Sequence, residues 1–378
     1  MTDIAYTLPG RYFTSATIFE QELEHIFYES WLCVGRTEQI ARPGDYFLHQ
    51  VGDESIIVLR DTAGMPRAFY NVCRHRGTQL CQEQQGRFSK SIQCPYHAWT
   101  YALDGRLIGV PSLENMGYLN KEDYPLHAVA LKTWQGFLFI SLSRQPEPFE
   151  SAFAPILERL HPWRVADLQT VERIEYDVQA NWKLIAENYN ECYHCPVIHS
   201  RLNELSNYRS GQNILTQGPI LGGYMGLAPG EGSMSQSGRM CAPPLGEVAG
   251  EDLNRIYYFA LFPNMLLSLH PDYVMFHTLW PKSVDHTRVV CAWLFDPAAL
   301  SDPHVDPGDA VEFWDTTNRE DWHVCESSQR GVRSRAYTPG PYYQWQEQLL
   351  PEFDRQVLLA LGHSLEEQGS RGVEEQGR

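Results

Sequence analysis

The chain has 378 residues, 43% hydrophobic and 20% charged, which is enough apolar material for two domains with buried cores. Its formal net charge of −17 argues against a nucleic-acid partner, because phosphate binding needs a basic surface. No apolar run is long enough to span a membrane and Met1 to Gly10 does not read as a secretory signal, so the expected location is the cytoplasm.

From about Pro43 to Leu142 the pattern is β-rich. Ser55 to Arg60 is a short apolar run closed by the turn-like Asp61 to Gly64, and Arg67 to Val72 reads as its partner. Trp99 to Leu103, Asp104-Gly105 and Arg106 to Val110 read as a hairpin, since Asp-Gly is a strong turn signal. Trp134 to Leu142 reads as one more buried strand, and Arg144 to Pro148 as a linker. Beyond it the pattern is mixed. Asn181 to His194 places Trp182, Ile185, Ala186, Tyr189 and Tyr193 at helical spacing. Ser210 to Glu251 is rich in Gly, Ser, Met and Pro and reads as a long loop or lid. Tyr257 to Leu269, Val274 to Pro281 and Thr287 to Phe295 read as strands, and Ala310 to Gln329 as a long helix. Leu365 to Arg378 is polar and reads as a frayed end.

Nine cysteines at irregular spacing do not make a disulfide scaffold. Most of them, Cys33, Cys241 and Cys291 among them, read as inert buried thiols. Two Cys-plus-His pairs stand out in the β-rich half: Cys73-Arg-His75 and Cys94-Pro-Tyr-His97. Each offers one thiolate and one imidazole. A Rieske-type [2Fe–2S] cluster needs two thiolates on one iron and two imidazoles on the other. Structural zinc also takes two Cys and two His, but a one-residue gap is tight for the usual finger spacing.

A second group lies in Glu187-Asn-Tyr-Asn-Glu-Cys-Tyr-His-Cys-Pro-Val-Ile-His199. His194 and His199 are five apart, a spacing that fails on a straight helix face and works if the helix ends near Cys195-Pro196. Two His with one carboxylate form the facial triad of non-haem iron(II) oxygenases, which leaves positions open for O₂ and substrate. The carboxylate is expected to be Asp321, which shares a helical stripe with Trp314, Thr317, Val324 and Cys325, while Asp315 and Glu320 are nearby competitors. A lone buried charge is costly unless paired or metal-bound. Glu191, three residues before His194, would be its helical neighbour and could orient its imidazole.

The words Cys73-Arg-His-Arg-Gly77, Cys94 to Trp99 and Glu187 to His199, in that order, resemble the Rieske non-haem iron oxygenase large subunits from about Tyr28 to Tyr343. The resemblance implies an α+β fold. A β-rich Rieske domain would occupy 1–148, about 43–142 proper, with its N-terminal segment packing on the catalytic domain. A catalytic domain would follow over 149–378, an antiparallel sheet flanked by helices in a helix-grip arrangement. The resemblance makes Cys73, His75, Cys94 and His97 the cluster ligands and His194, His199 and Asp321 the iron ligands. Glu191, with Asn188 beside it, becomes the acid that bridges the two centres, reaching His97 of a neighbouring subunit in a trimer. It also implies electrons from NAD(P)H through a separate reductase or ferredoxin.

Glu191 with its short spacing, Phe262 to Val274, Trp314 to Glu326 and Tyr337 to Tyr342 resemble the branch with glycine betaine, choline and carnitine monooxygenases and stachydrine demethylase. The reaction implied is hydroxylation next to a quaternary or methylated nitrogen, followed by loss of formaldehyde. Tyr189, Tyr193 and Phe262 are candidates for an aromatic surround of the cation. The competing readings are an aromatic ring-hydroxylating dioxygenase or O-demethylase, and a non-catalytic Rieske electron-transfer protein.

Overall fold

The computed structural model describes residues 4–112 and 119–364. The frayed end expected over 365–378 lies outside the described residues. The chain divides into two compact units, Tyr28–Pro146 and a larger one made of Met1–Phe27 with Glu147–Arg378. Residues 4–27 cluster with the second unit, in line with the expected packing of the N-terminal segment on the catalytic domain, although the 1–148 boundary counts them with the β-rich domain.

The smaller unit holds β1 (Leu32–Arg36), β2 (Asp45–Val51), β3 (Glu54–Arg60), β4 (Pro66–Tyr70), β5 (Gln85–Arg87), β6 (Ser91–Gln93), β7 (Thr100–Ala102), β8 (Leu107–Gly109), β9 (Ala128–Trp134) and β10 (Phe137–Ser141). Seven of them form one sheet in the order β1-β10-β9-β4-β3-β2-β5, and β6-β7-β8 form a small second one. The apolar run Ile56 to Leu59, β-branched in its first three residues, is fully buried, as its continuous apolar pattern requires. Asp104-Gly105 turns β7 into β8. Gly105 has φ of +91°, and a Cβ there would meet the Phe69 ring at 2.5 Å, so only glycine fits. The stretch read as one strand over Trp134 to Leu142 is the end of a hairpin instead. Trp134 closes β9, Gln135 and Gly136 turn with positive φ, and β10 returns.

The larger unit carries β11 (Gln169–Val178), β12 (Gln212–Leu215), β13 (Ile220–Gly226), β14 (Arg255–Leu261), β15 (Met265–Leu269), β16 (Val274–Ser283) and β17 (His286–Phe295). They make one antiparallel sheet, ordered β11-β17-β16-β15-β14-β13-β12. Tyr257 to Leu269 is two strands, because Phe262-Pro263-Asn264 makes a turn between β14 and β15. The expected lid over Ser210 to Glu251 contains β12 and β13, whose Ile220, Leu221 and Met225 are buried. The rest of it is held down by buried Asp272, which accepts from Ser233 Oγ and from Cys241 N, each at 2.6 Å.

Helix Pro307–Val332 starts as its sequence dictates, with Asp306 accepting from Gly308 N and proline in the first turn. Its face of Trp314, Thr317, Asn318, Trp322 and Cys325 is buried, and it packs on helix Trp182–Tyr189. That shorter helix is capped by Asn181. It is also fastened by residues from the start of the chain. Lys183 pairs with Glu22, both fully buried, and Trp182 Nε1 donates to the other Glu22 oxygen at 2.8 Å. Gln329 of the long helix donates to Phe13 O at 3.0 Å and accepts from Asn181 N at 2.8 Å.

Removing one partner of a buried pair leaves the other charge without compensation. Glu22→Gln is expected to lower stability by about 3–5 kcal/mol, read as a fall in the urea midpoint; an unchanged midpoint would show that Lys183 finds another partner.

Candidate active site

Two loops of the smaller unit bring the first group together. Cys73 and His75 follow β4, while Cys94 and His97 sit between β6 and β7. The loops are alike. In each, the amide four residues after the cysteine donates back to the cysteine carbonyl, from Gly77 at 3.0 Å and from Ala98 at 3.1 Å. Both of those residues have positive φ. The Cys73 and Cys94 thiols are both buried, and Tyr101 Oη is 3.3 Å from Cys73 Sγ. The imidazoles of His75 and His97 are 4.7 Å apart at 74°, with His75 stacked on Trp99. The Nδ1 atom of each is buried with no hydrogen-bond partner. Two buried thiols and two orphaned imidazole nitrogens form a donor set that fits a Rieske cluster, whose two irons would satisfy such atoms.

The second group depends on a break in the chain. The helix expected to run to His194 stops at Tyr189. Asn190 ends it and turns its amide onto Ala186 O at 2.8 Å. Glu191 and His194 are thus not neighbours on a helix. They share a turn in which one Glu191 oxygen accepts from the Tyr193 and His194 amides. The short helix Cys195–Ile198 then carries the chain to His199, with proline in its first turn. This course lets side chains five apart converge.

His199 Nε2 lies 2.8 Å and His194 Nε2 3.3 Å from Asp321 Oδ1, and the two Nε2 atoms are 3.2 Å apart. Ligand atoms of these three residues lie within 4.8 Å of one another and could hold one metal ion. The outer nitrogens are also fixed. His194 Nδ1 is 2.5 Å from Glu191 Oε1, and His199 Nδ1 is 2.7 Å from Glu320 Oε2. A carboxylate on Nδ1 sets the tautomer that leaves Nε2 its lone pair, as metal-bound histidines need. Glu320 is therefore not a rival to Asp321 but the orienter of His199, a role the sequence reading did not give it. Asp315 points elsewhere, accepting from Tyr176 Oη at 2.8 Å and pairing with Arg319.

A cavity of about 140 Å³ opens beside the three ligand atoms. Asn188, Tyr189 and Glu191 line it. Tyr193 does not; it is half exposed and packs on Tyr343. Phe262 does not either; it packs between Trp182 and Phe353. Beside Tyr189, the aromatic wall comes from Tyr208, Tyr224, Tyr258, Trp314, Trp322 and Trp345, of which only Trp314 and Trp322 lie in a stretch the sequence singles out. His277 is also on the wall. Burial lowers its pKa to about 4, and it is bonded through Nε2 to Asn318 Oδ1 at 3.0 Å. No lysine or arginine lines the cavity among the described residues.

In the chain without an ion, burial opposes charge on His194, yet the hydrogen bonds to Asp321 and Glu191 prevail and raise its pKa to about 10. His199 is raised against its burial in the same way by Asp321. Burial pushes Asp321 up, but the two imidazoles hold it down at about 2. A raised histidine stabilises fully below its unfolded value, and that contribution is lost as pH climbs through the folded one. Asp321 contributes above its unfolded value and loses this as pH falls through about 2. An ion must displace the histidine protons. Affinity for cobalt(II) is thus expected to rise from neutral pH upward, with proton release at pH 7 in calorimetry across buffers of different ionisation enthalpy. A pH-independent affinity without proton release would contradict this pairing.

The chain matches the Rieske [2Fe–2S] domain family over residues 30–134 and the ring hydroxylating alpha subunit (catalytic domain) family over residues 165–362. It is 30% identical to the glycine betaine monooxygenase oxygenase subunit of Pseudomonas aeruginosa, over 90% of this chain and 85% of that one. It is likewise 30% identical to the carnitine monooxygenase oxygenase subunit of Escherichia coli, over 88% and 86%. Among solved structures it resembles a quaternary ammonium Rieske monooxygenase described for carnitine oxidation by gut microbiota and inter-subunit electron transfer. There the TM-score is 0.80 at 27% identity, with 96% of each chain covered. The sequence, the two domains and their order agree: the chain belongs to the ring-hydroxylating alpha subunits, as an oxygenase subunit with a Rieske [2Fe–2S] domain and a non-haem iron catalytic domain, supplied with electrons from NAD(P)H by a reductase.

Proposed function

We propose that this oxygenase removes a methyl group from a quaternary or otherwise methylated ammonium compound. The observation that carries the reading is the cavity itself. It joins the ligand atoms of His194, His199 and Asp321 to an aromatic wall and one further carboxylate, Glu191, with no described lysine or arginine. A methylated ammonium group carries charge but donates no strong hydrogen bond, so aromatic faces suit it. The named activities of the relatives from Pseudomonas aeruginosa and Escherichia coli point the same way.

In this reading Cys73, His75, Cys94 and His97 hold the cluster, and His194, His199 and Asp321 hold iron(II). When bound, the cluster supplies electrons singly and the iron supplies the activation of O₂. The chain's residues do the rest. Glu191 and Glu320 fix both imidazoles, Asp321 supplies the anionic ligand, and Tyr258, Trp314 and Trp322 face the cation. The N-methyl group takes one oxygen atom of O₂. The other leaves as water with two electrons and two protons, and the N-hydroxymethyl product collapses to formaldehyde and the demethylated amine. Glu191 couples the two centres across subunits by meeting His97 of a neighbour, in a trimer that works in the cytoplasm with its reductase or ferredoxin.

A screen of N-methylated cations with a suitable reductase is expected to give formaldehyde in step with O₂ uptake. A cis-diol or phenol from an arene, with no formaldehyde from any ammonium compound, would replace this reading by ring hydroxylation. Tyr258→Leu is expected to raise KM for a quaternary substrate roughly 2- to 30-fold, the loss of about 0.5–2 kcal/mol of cation–π attraction; Tyr258→Phe keeps the ring and should keep KM. Glu191→Gln should retain iron and sulfide yet lose coupled turnover. Wild-type turnover in that variant would remove Glu191 from the electron path.

A further inference from the structure

The motif Cys192-Tyr-His-Cys195 is not used by the reaction above. Its two sulfurs are joined, with the Cα atoms 5.0 Å apart, and His194 sits inside the closed ring. The other described cysteines, such as Cys241 and Cys291, form no disulfide and are buried. Cys192 and Cys195 instead both line the cavity at the ligand group. Cys195 Sγ lies 3.9 Å from His194 Nε2, the nitrogen that faces Asp321. Two atoms bound to one ion at about 2.1 and 2.3 Å stand about 3–4 Å apart, so this sulfur and that nitrogen are spaced as two ligands of one ion would be.

We propose that Cys192 and Cys195 are a redox pair that sets how many protein ligands the site presents. The inference rests on His194, His199 and Asp321 being the metal ligands. Closed as a disulfide, the pair offers no thiolate, and the site presents two imidazoles and one carboxylate. Opened, it frees the Cys195 sulfur as a fourth ligand, a soft donor that iron(II) and cobalt(II) both accept. The opening is a two-electron reduction by a dithiol. The S–S bond breaks, two S–H bonds form, the dithiol becomes a disulfide, and the Cys195 thiol passes its proton to solvent on binding the metal. Each added protein ligand takes a position that O₂ or substrate needs, so the disulfide form is the active one. The pair thereby makes turnover sensitive to thiol reductants without altering the cluster loops.

The test uses the full chain with its cluster in place and cobalt(II) in the mononuclear site, read by X-ray absorption at the cobalt edge, where cluster iron does not interfere. A water-soluble phosphine serves as reductant; it takes up oxygen from water as it opens the disulfide. One sulfur scatterer is expected to appear on reduction and to be absent before it. Cys195→Ser is expected to show none in either state. Alkylation with mass analysis should find Cys192 and Cys195 blocked before reduction and reactive after it. A reduced protein without a sulfur scatterer overturns the proposal, and so do two thiols that stay free after mild oxidation. His199→Ala separates the premises. If it releases cobalt while native protein shows no sulfur, only the redox pair fails; if cobalt stays bound in it, the three-ligand reading fails as well.

Discussion

Two imidazoles five residues apart must turn the same nitrogen toward one carboxylate, and the catalytic unit is organised around that requirement. A straight helix would send His194 and His199 to different sides. The chain therefore leaves the helix at Tyr189 and turns through Glu191 before re-entering at Cys195. The turn is held by the same carboxylate that grips His194, so one residue bends the backbone and orients the ring. The opposing carboxylate comes from far along the sequence on a long helix. Its position depends on the packing of that helix against Trp182–Tyr189 and on the segment from Phe13 to Glu22 that fastens both.

The smaller unit solves a similar problem by another route. There a backbone loop, not a side chain, sets the geometry, with a carbonyl of cysteine accepting from the fourth residue on. Left-handed residues at Gly77 and Ala98 turn each loop back. Two buried nitrogens without partners would be costly in a finished core, and their pairing with two thiols gives them a purpose. One unit thus presents an acceptor for electrons, and the other a place for them to be used.

Much of this was legible in the sequence where chemistry is local. The Cys/His words, the histidines of the second group and the helix bearing Asp321 each lie within a few residues of chain. The long helix and the Asp104-Gly105 hairpin were readable because period and turn residues agree. What escaped was set by distant contacts. Glu320 and Asp321 are adjacent carboxylates, and only the approach of His199 to one of them on each ring nitrogen gives them separate tasks. Most of the aromatic wall is drawn from β13, β14 and the long helix, which no nearness in sequence to His194 reveals, while Tyr193 and Phe262 lie elsewhere. The helix end was misjudged because Tyr193 fits the helical spacing, while the Asn190 and Glu191 side chains compete for the backbone.

Two separate iron centres in one chain set the iron content, and a count of iron against acid-labile sulfide tests for both most directly. Anaerobically prepared protein should hold about three irons per two sulfides, falling to about two per two in Asp321→Ala with the cluster spectrum unchanged. A native ratio of about one to one, unaltered by Asp321→Ala, would contradict the second centre.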